Sequence, residues 1–146
     1  VHISAGEIIS FRTFMTGEIF QLLSEYSILK NSVNSDKIDT DSFLQAFEDT
    51  YSNPALLSSK LFGIRATDLL ENIPTKLLKA KLSGYLIGSE LAGSKSYWLG
   101  RDIVMIGNDN LCVLYEKALK KLGLNISLEN TQDITLNGLK QAYFNR

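Results

Sequence analysis

Apolar positions along this chain repeat with two different periods. Near the start, Ile9, Phe11 and Thr13 alternate with Ser10 and Arg12, the period of a half-buried strand. With Val1–Ile3 before it and Ser4-Ala5-Gly6 as the turn, segments 1–3 and 7–13 read as a β-hairpin. The period then lengthens to that of a helix. Ile19, Leu22, Leu23, Tyr26 and Leu29 share one face of a helix capped by Thr16, with Gly17 and Glu18 in its first turn. A polar loop over 31–37 follows. Phe43, Leu44, Phe47 and Tyr51 stripe a second helix, capped by Asp39 or Thr40. Asn53-Pro54 starts a third, because proline at a first helical position gives up only an N–H that is unpaired there anyway. Gly63 is expected to bend or end it, with a further turn or two over 67–72. Pro74 opens a fourth helix over 75–92. Its Leu78, Leu82, Tyr85 and Ser89 lie on one side. Gly84, Gly88 and Ala92 recur every fourth residue, a smooth ridge that lets another backbone pack closely.

The stretch 102–123 organises the rest. Residues 93–100 form a loop carrying Tyr97 and Trp98. Ile103-Val104-Met105-Ile106 is an unbroken apolar run, read as a strand buried on both faces. Gly107-Asn108-Asp109-Asn110 ends it in a turn. Leu111, Leu114, Tyr115, Ala118 and Leu122 then share a helix face, and Glu116, Lys117, Lys120 and Lys121 point largely away from it. Gly123 closes the helix as a C-cap. Residues 125–128 supply the next strand, and 132–135 lead to a last helix over 136–144. The pattern predicts an α+β piece, or part of an α/β fold. Two or three lone strands make a poor sheet unless more join them, so further strands are expected from chain upstream of Val1.

Composition narrows the classes. At 146 residues, 45% hydrophobic and 21% charged, the chain suits one domain with a real core. A net charge of −1 offers no basic groove, which argues against a nucleic-acid partner. No apolar run approaches the roughly 20 residues of a membrane span. The first residues show no basic segment followed by an apolar one, so no signal peptide is read and the cytoplasm is the simplest compartment. A single cysteine, Cys112, excludes an intrachain disulfide framework. A start at Val1 is what a processed or truncated product looks like.

Most candidate chemistry fails on its own terms. His2 is the single histidine and lacks the partners of a triad or a zinc site. Cys112 lies about one turn into a helix, a place that can activate a thiol, yet an inert helical cysteine is the simpler reading. Asp36, Asp39 and Asp41 lack the glycine and closing glutamate of a calcium loop, so no metal ligands are expected. Two places suit a ligand. Thr16-Gly17 at a helix start offers a hydroxyl and open N–H groups to an anion, or is simply a capped helix with Glu18 well placed. Gly107-Asn108 lets backbone approach a nucleotide, with the same ambiguity. Arg65 meets an anionic group, or pairs with Asp68 or Glu71. Tyr97 and Trp98 stack on a ring, or pack as loop residues.

Four blocks, in order, resemble one family. Phe11-Arg12-Thr13-Phe14-Met15-Thr16-Gly17-Glu18 is similar to the strand-to-helix signature of 2-dehydro-3-deoxygalactonokinases. Leu61-Phe62-Gly63-Ile64-Arg65-Ala66 and Leu82-Ser83-Gly84-Tyr85-Leu86-Ile87-Gly88-Ser89-Glu90 resemble two of its later segments. Ile103 to Ala118 resembles its strand–glycine–helix segment. The resemblance implies a sugar-acid kinase of the actin-like, hexokinase-type superfamily, with a ribonuclease H-like fold. It implies ATP-dependent phosphorylation of the 6-hydroxyl of 2-dehydro-3-deoxy-D-galactonate, with Mg²⁺. This chain would be the helix-rich C-terminal lobe, over 1–146, with a small partial sheet.

The adenosine-contacting turn then maps onto Gly107 and Asn108, with Leu111 nearby. Asn108 stands where the superfamily has a second glycine. Thr16, Gly17 and Arg65 are the candidates for phosphate or substrate contact. The Asp-x-Gly phosphate loop and the catalytic base belong to an N-terminal lobe that these residues do not include. Phosphoryl transfer needs positioning and charge neutralisation from both sides of a cleft, so this chain alone is expected to be inactive. Expected partners are ATP, a 2-keto-3-deoxy sugar acid and the chain's own N-terminal lobe, with a homodimer as the oligomeric option. The alternatives are a helical interaction module docking through the Gly84/Gly88/Ala92 ridge and the Phe43/Phe47/Tyr51 stripe, or a related kinase for another sugar acid. The kinase reading further expects strand 103–106 beside the opening hairpin.

Overall fold

Helices dominate the chain, and one pair of them carries most of its core. A computed structural model describes residues 1–144. The chain divides by its contacts into two units, Val1–Leu99 and Gly100–Arg146. In the first, a hairpin of β1 (His2–Ser4) and β2 (Glu7–Ser10) precedes α1 (Thr16–Tyr26), α2 (Thr40–Ser52), α3 (Leu57–Glu71), α4 (Thr75–Gly93) and a short α5 (Lys95–Trp98).

The glycine ridge of α4 is occupied by α2 of the same chain. A Cβ on Gly84 would stand 2.8 Å from both Ala46 Cβ and Phe47 N, and one on Gly88 would stand 3.0 Å from Tyr51 N. Glycine therefore brings two helix backbones into contact. Phe43, Phe47, Leu78 and Leu82 are fully buried. The buried Thr50 hydroxyl donates to the Tyr85 carbonyl at 2.8 Å, so this polar group is satisfied inside the core. The ridge and the Phe43/Phe47 stripe are internal packing, which removes the surface that a helical docking module needs.

Helix ends follow local chemistry where a cap is present. The Asp39 carboxylate accepts the Ser42 N–H at 2.9 Å, which makes Asp39 the cap of α2. That hydrogen bond holds the Asp39 carboxyl below its ordinary value. A 3-10 turn over Pro54–Leu56 leads into α3. Gly63 neither bends nor ends α3, which runs on to Glu71 and stops at Asn72 with φ +46°. One helical glycine costs only about 1 kcal/mol, and the packing of Leu61 and the buried Ile64 on either side outweighs it.

Elsewhere tertiary contacts override the pattern. Thr16 is not the cap of α1: Met15 holds that position without a side-chain bond, and the Thr16 hydroxyl donates to the Glu90 carboxylate on α4. The face of α1 packed against the core is the half-buried Phe20 and Leu23, with the buried Leu29 beyond, while Ile19, Leu22 and Tyr26 are exposed. This helix carries two overlapping apolar stripes, and docking onto α4 selects one of them. The segment 93–100 is not a loop but contains α5. Trp98 is buried there and donates its indole N–H to the Leu91 carbonyl at 3.1 Å, so it is a core residue rather than a stacking platform. The hairpin turns at Ala5-Gly6, both at positive φ, and its second strand stops at Ser10 rather than Thr13. Ile3, Ile8, Ile9 and Phe11 are exposed, so the half-buried pattern finds no covering layer among the described residues.

The second unit runs β3 (Ile103–Ile106), α6 (Asp109–Lys121), β4 (Ile126–Glu129) and α7 (Thr131–Phe144). β3 and β4 are parallel, with Ile103 opposite Ile126 and Ile106 opposite Glu129. The helix between them is the crossover that a parallel pair requires. β3 pairs with β4, and the hairpin is a separate two-stranded sheet, so the expected pairing of 103–106 beside the hairpin is not found. Nor is β3 buried on both faces: Ile103 and Met105 are half-buried, but Val104 and Ile106 are exposed. A two-stranded sheet has too few layers around it to cover both sides. Ala118 and Leu119 of α6 are buried, Leu111 is exposed, and Gly123 ends the helix at φ +77°.

Candidate functional site

In parallel α/β structures ligands gather at the carboxyl ends of the strands. Here those ends carry two short turns. Gly107-Asn108 follows β3, and Asn130 follows β4. The Thr131 hydroxyl donates to the Gly107 carbonyl at 3.3 Å and ties the two turns together.

The first turn is shorter than its four turn-forming residues suggest, because α6 already begins at Asp109. Asn108 is its cap: the side-chain carbonyl accepts the Asn110 N–H at 3.0 Å. The Asn108 main-chain carbonyl accepts Leu111 N–H at 3.1 Å and Cys112 N–H at 2.9 Å. Asp109 sits in the first turn, where its negative charge answers the positive end of the helix dipole. At this helix start the Asp109 carboxylate repels an incoming anion but not a neutral polar group.

Gly107 is exposed and does not adopt a positive φ. A Cβ there would approach only Cys112 Sγ, at 3.4 Å. Neither backbone conformation nor internal packing therefore requires glycine at this position. What glycine leaves open is the outer face of the turn, with the exposed Leu111 supplying apolar surface one turn into α6.

Other predicted contacts have partners of their own, in the first unit. Thr16 is bonded to Glu90, as above. Gly17 is exposed in the first turn of α1, with open space around a Cβ. The Arg65 guanidinium pairs with Asp68 at 3.1 Å and reaches Ser32 Oγ at 3.5 Å. The buried Ser32 hydroxyl donates to the same Asp68 carboxylate at 2.7 Å, so the trio fastens the segment before α2 to α3. Of the two readings for Arg65, pairing with Asp68 is the one realised. Tyr97 donates to the Phe11 carbonyl at 3.3 Å and lies under the Arg12 guanidinium, 5.3 Å from its ring centre. Arg12 in turn donates to the Gly93 carbonyl at 2.7 Å.

Sequence reasoning missed Asn130 and Thr131. The Asn130 side chain accepts the Gln132 and Asp133 N–H groups, so α7 starts before residue 132. An Asn-Thr pair directly after a strand was the available signal.

The family model described as 2-keto-3-deoxy-galactonokinase matches residues 1–142. The chain belongs to that family. It is 34% identical over 146 residues to the "Probable 2-dehydro-3-deoxygalactonokinase DgoK1" of Rhizobium meliloti (strain 1021), covering 97% of this chain and 48% of that protein. It is 30% identical to the 2-dehydro-3-deoxygalactonokinase of Escherichia coli (strain K12), covering 87% of this chain and 44% of that protein. A crystal structure assigned to a 2-dehydro-3-deoxygalactonokinase from Sinorhizobium meliloti superposes with a TM-score of 0.84 at 35% identity. That match covers 91% of this chain and 46% of the other. The chain thus spans about half the length of the curated relatives it matches. The mixed, helix-rich α/β architecture expected from the pattern is the one it shares with this family.

Two further points bear on ligands. Among the described residues no group of three or more His, Cys, Asp or Glu side chains is placed to hold a metal ion. No described helix is long and apolar enough to cross a membrane.

Proposed function

We propose that this chain is the C-terminal lobe of a two-lobed, actin-like sugar-acid kinase that phosphorylates the 6-hydroxyl of 2-dehydro-3-deoxy-D-galactonate with ATP. Its part in the reaction is to hold the adenosine side of the nucleotide at Gly107, Asn108 and Leu111. Membership of the family supports the reaction. The observation that carries the site is Gly107, an exposed glycine at the carboxyl edge of a parallel pair that neither conformation nor packing requires. Asp109 supports the adenosine end over the phosphates, since a carboxylate at the α6 start repels phosphoryl oxygens and tolerates a neutral ribose or base.

In this reading the chain positions one end of ATP and excludes water from it through Leu111. The phosphate loop, the catalytic base, the Mg²⁺ ligands and most sugar contacts come from the other lobe, so the isolated chain does not turn over. The compartment is cytoplasmic in the same reading. Thr16-Gly17 and Arg65 are weaker candidates for ligand contact, because Thr16 and Arg65 are already engaged by Glu90 and by Asp68.

The test follows the backbone amides of Gly107 and Asn108 by nitrogen-15 NMR during titration with a nonhydrolysable ATP analogue. Shifts centred on 107–111 in the wild-type chain, abolished in Gly107→Val, are expected. Binding that leaves those amides unmoved, or that survives Gly107→Val unchanged, overturns the assignment.

A further inference from the structure

One side-chain hydrogen bond, from Thr131, ties the two turns together. Thr131 is the first residue of α7 and is exposed, so its hydroxyl has water as an alternative partner. It donates instead to the Gly107 carbonyl, twenty-four positions away in sequence. Its helix start does not depend on that bond, because the Asn130 side chain already accepts Gln132 N–H at 2.8 Å and Asp133 N–H at 3.1 Å. The hydroxyl thus acts on the other turn, not on its own helix.

That bond has a geometric consequence. The peptide joining Gly107 to Asn108 is planar and trans, so its C=O and N–H point to opposite sides. Holding the carbonyl toward α7 holds the Asn108 N–H away from it. Glycine at 107 makes this peptide the least restrained in the turn, since no Cβ limits its rotation. The Asn108 side chain and carbonyl are both engaged in starting α6. One side of the peptide is therefore fixed by α6 and the other by Thr131.

We infer that Thr131 is a positioning residue for the nucleotide turn, its hydroxyl fixing the Gly107–Asn108 peptide so that the Asn108 N–H is presented to the adenosine moiety. This rests on the reading of that turn as the adenosine side. It adds a residue from the second βα turn and makes the site depend on both.

The 146-residue chain, its Thr131→Val form and its Thr131→Ser form are titrated with the same ATP analogue and followed at the Gly107 and Asn108 amides. Loss of one exposed hydrogen bond is expected to weaken binding about 3- to 10-fold in Thr131→Val. Thr131→Ser restores it to within about 2-fold, and the α7 amides of both variants keep their wild-type positions. If the wild-type chain shows no response at 107–111, the adenosine reading and this inference fall together. If the wild-type chain responds and Thr131→Val binds equally well, the inference falls alone. If Thr131→Ser is as weak as Thr131→Val, the hydroxyl is not the cause and the inference again falls.

Discussion

Phe47 on α2 and Phe144 on α7 are the same residue type in helices of 13 and 14 residues. Phe47 is fully buried and Phe144 is 78% exposed. α2 lies against two glycines of α4, which let the helix axes close until aromatic side chains fill the space beside them. In the second unit, Val104, Ile106, Leu128, Leu139 and Tyr143 stay exposed beside Phe144, and only Ala118 and Leu119 are buried among the described residues. An apolar stripe is thus a request for a partner layer, and whether it becomes a core depends on what else is there to pack. In the first unit one pair of helices answers it. In the second, two strands and two helices do not cover each other's apolar faces.

Substitution of those two phenylalanines gives the largest expected difference. Phe47→Ala is expected to cost about 3–5 kcal/mol, whereas Phe144→Ala changes stability by less than about 0.5 kcal/mol. Far-ultraviolet circular dichroism in a urea titration reads the helices of both units, and the fluorescence of Trp98 reads the first alone. Equal effects at the two sites break the comparison.

The glycines sharpen it at a smaller scale. Gly84→Ala forces a methyl into the α2 backbone and is expected to destabilise by about 1–3 kcal/mol despite better helix propensity. Gly63→Ala on α3 has open space around its Cβ and is expected to stabilise by about 0.5–1 kcal/mol. The midpoint of the same urea titration separates them by sign. A gain at Gly84 contradicts the close packing of α2 on α4.

Two effects of charge are smaller. Lys60 bonds Asp49 at 2.7 Å, and that bond raises its pKa above the ordinary 10.5. The raised value means its stabilisation is present below pH 10.5 and is lost as pH rises through the higher folded value. Both side chains are about a third exposed, so removing the pair with Lys60→Met should cost less than about 1 kcal/mol. Asp39 behaves in the opposite sense. Its carboxyl is lowered by the Ser42 N–H, so the cap's charge-dependent stability is present above pH 3.8 and is lost as pH falls through the lower folded value. Asp39→Asn keeps a capping oxygen and removes that acid sensitivity. An unchanged acid midpoint in Asp39→Asn excludes the cap as its source.

Elements whose causes are local were legible in the chain itself. The cap of α2, read as Asp39 or Thr40 and found at Asp39, the proline-led entry to α3, the αL glycine at 123 and a strand read over 125–128 and found at Ile126–Glu129 are where turn chemistry and periodicity place them, to within a residue. The four blocks that resemble 2-dehydro-3-deoxygalactonokinases were legible too, because a motif is an ordered string. The candidate site was half legible: Gly107, Asn108 and Leu111 belong to one continuous segment, while Thr131 reaches them from the next βα turn. Non-local bonds leave no trace in spacing. The face of α1, the continuity of α3 through Gly63 and the burial of Trp98 were hidden for the same reason.

By itself, then, the sequence determined the family, the order and type of nearly every element, and the glycine at the end of β3. Each of these follows from interactions within a few residues, or from an ordered set of motifs. The tertiary structure decided which apolar stripes are buried, that Thr16 and Arg65 are engaged by Glu90 and Asp68, and that Thr131 holds the Gly107 carbonyl. Those outcomes depend on which surfaces meet after the chain has collapsed. Distance along the chain does not encode that.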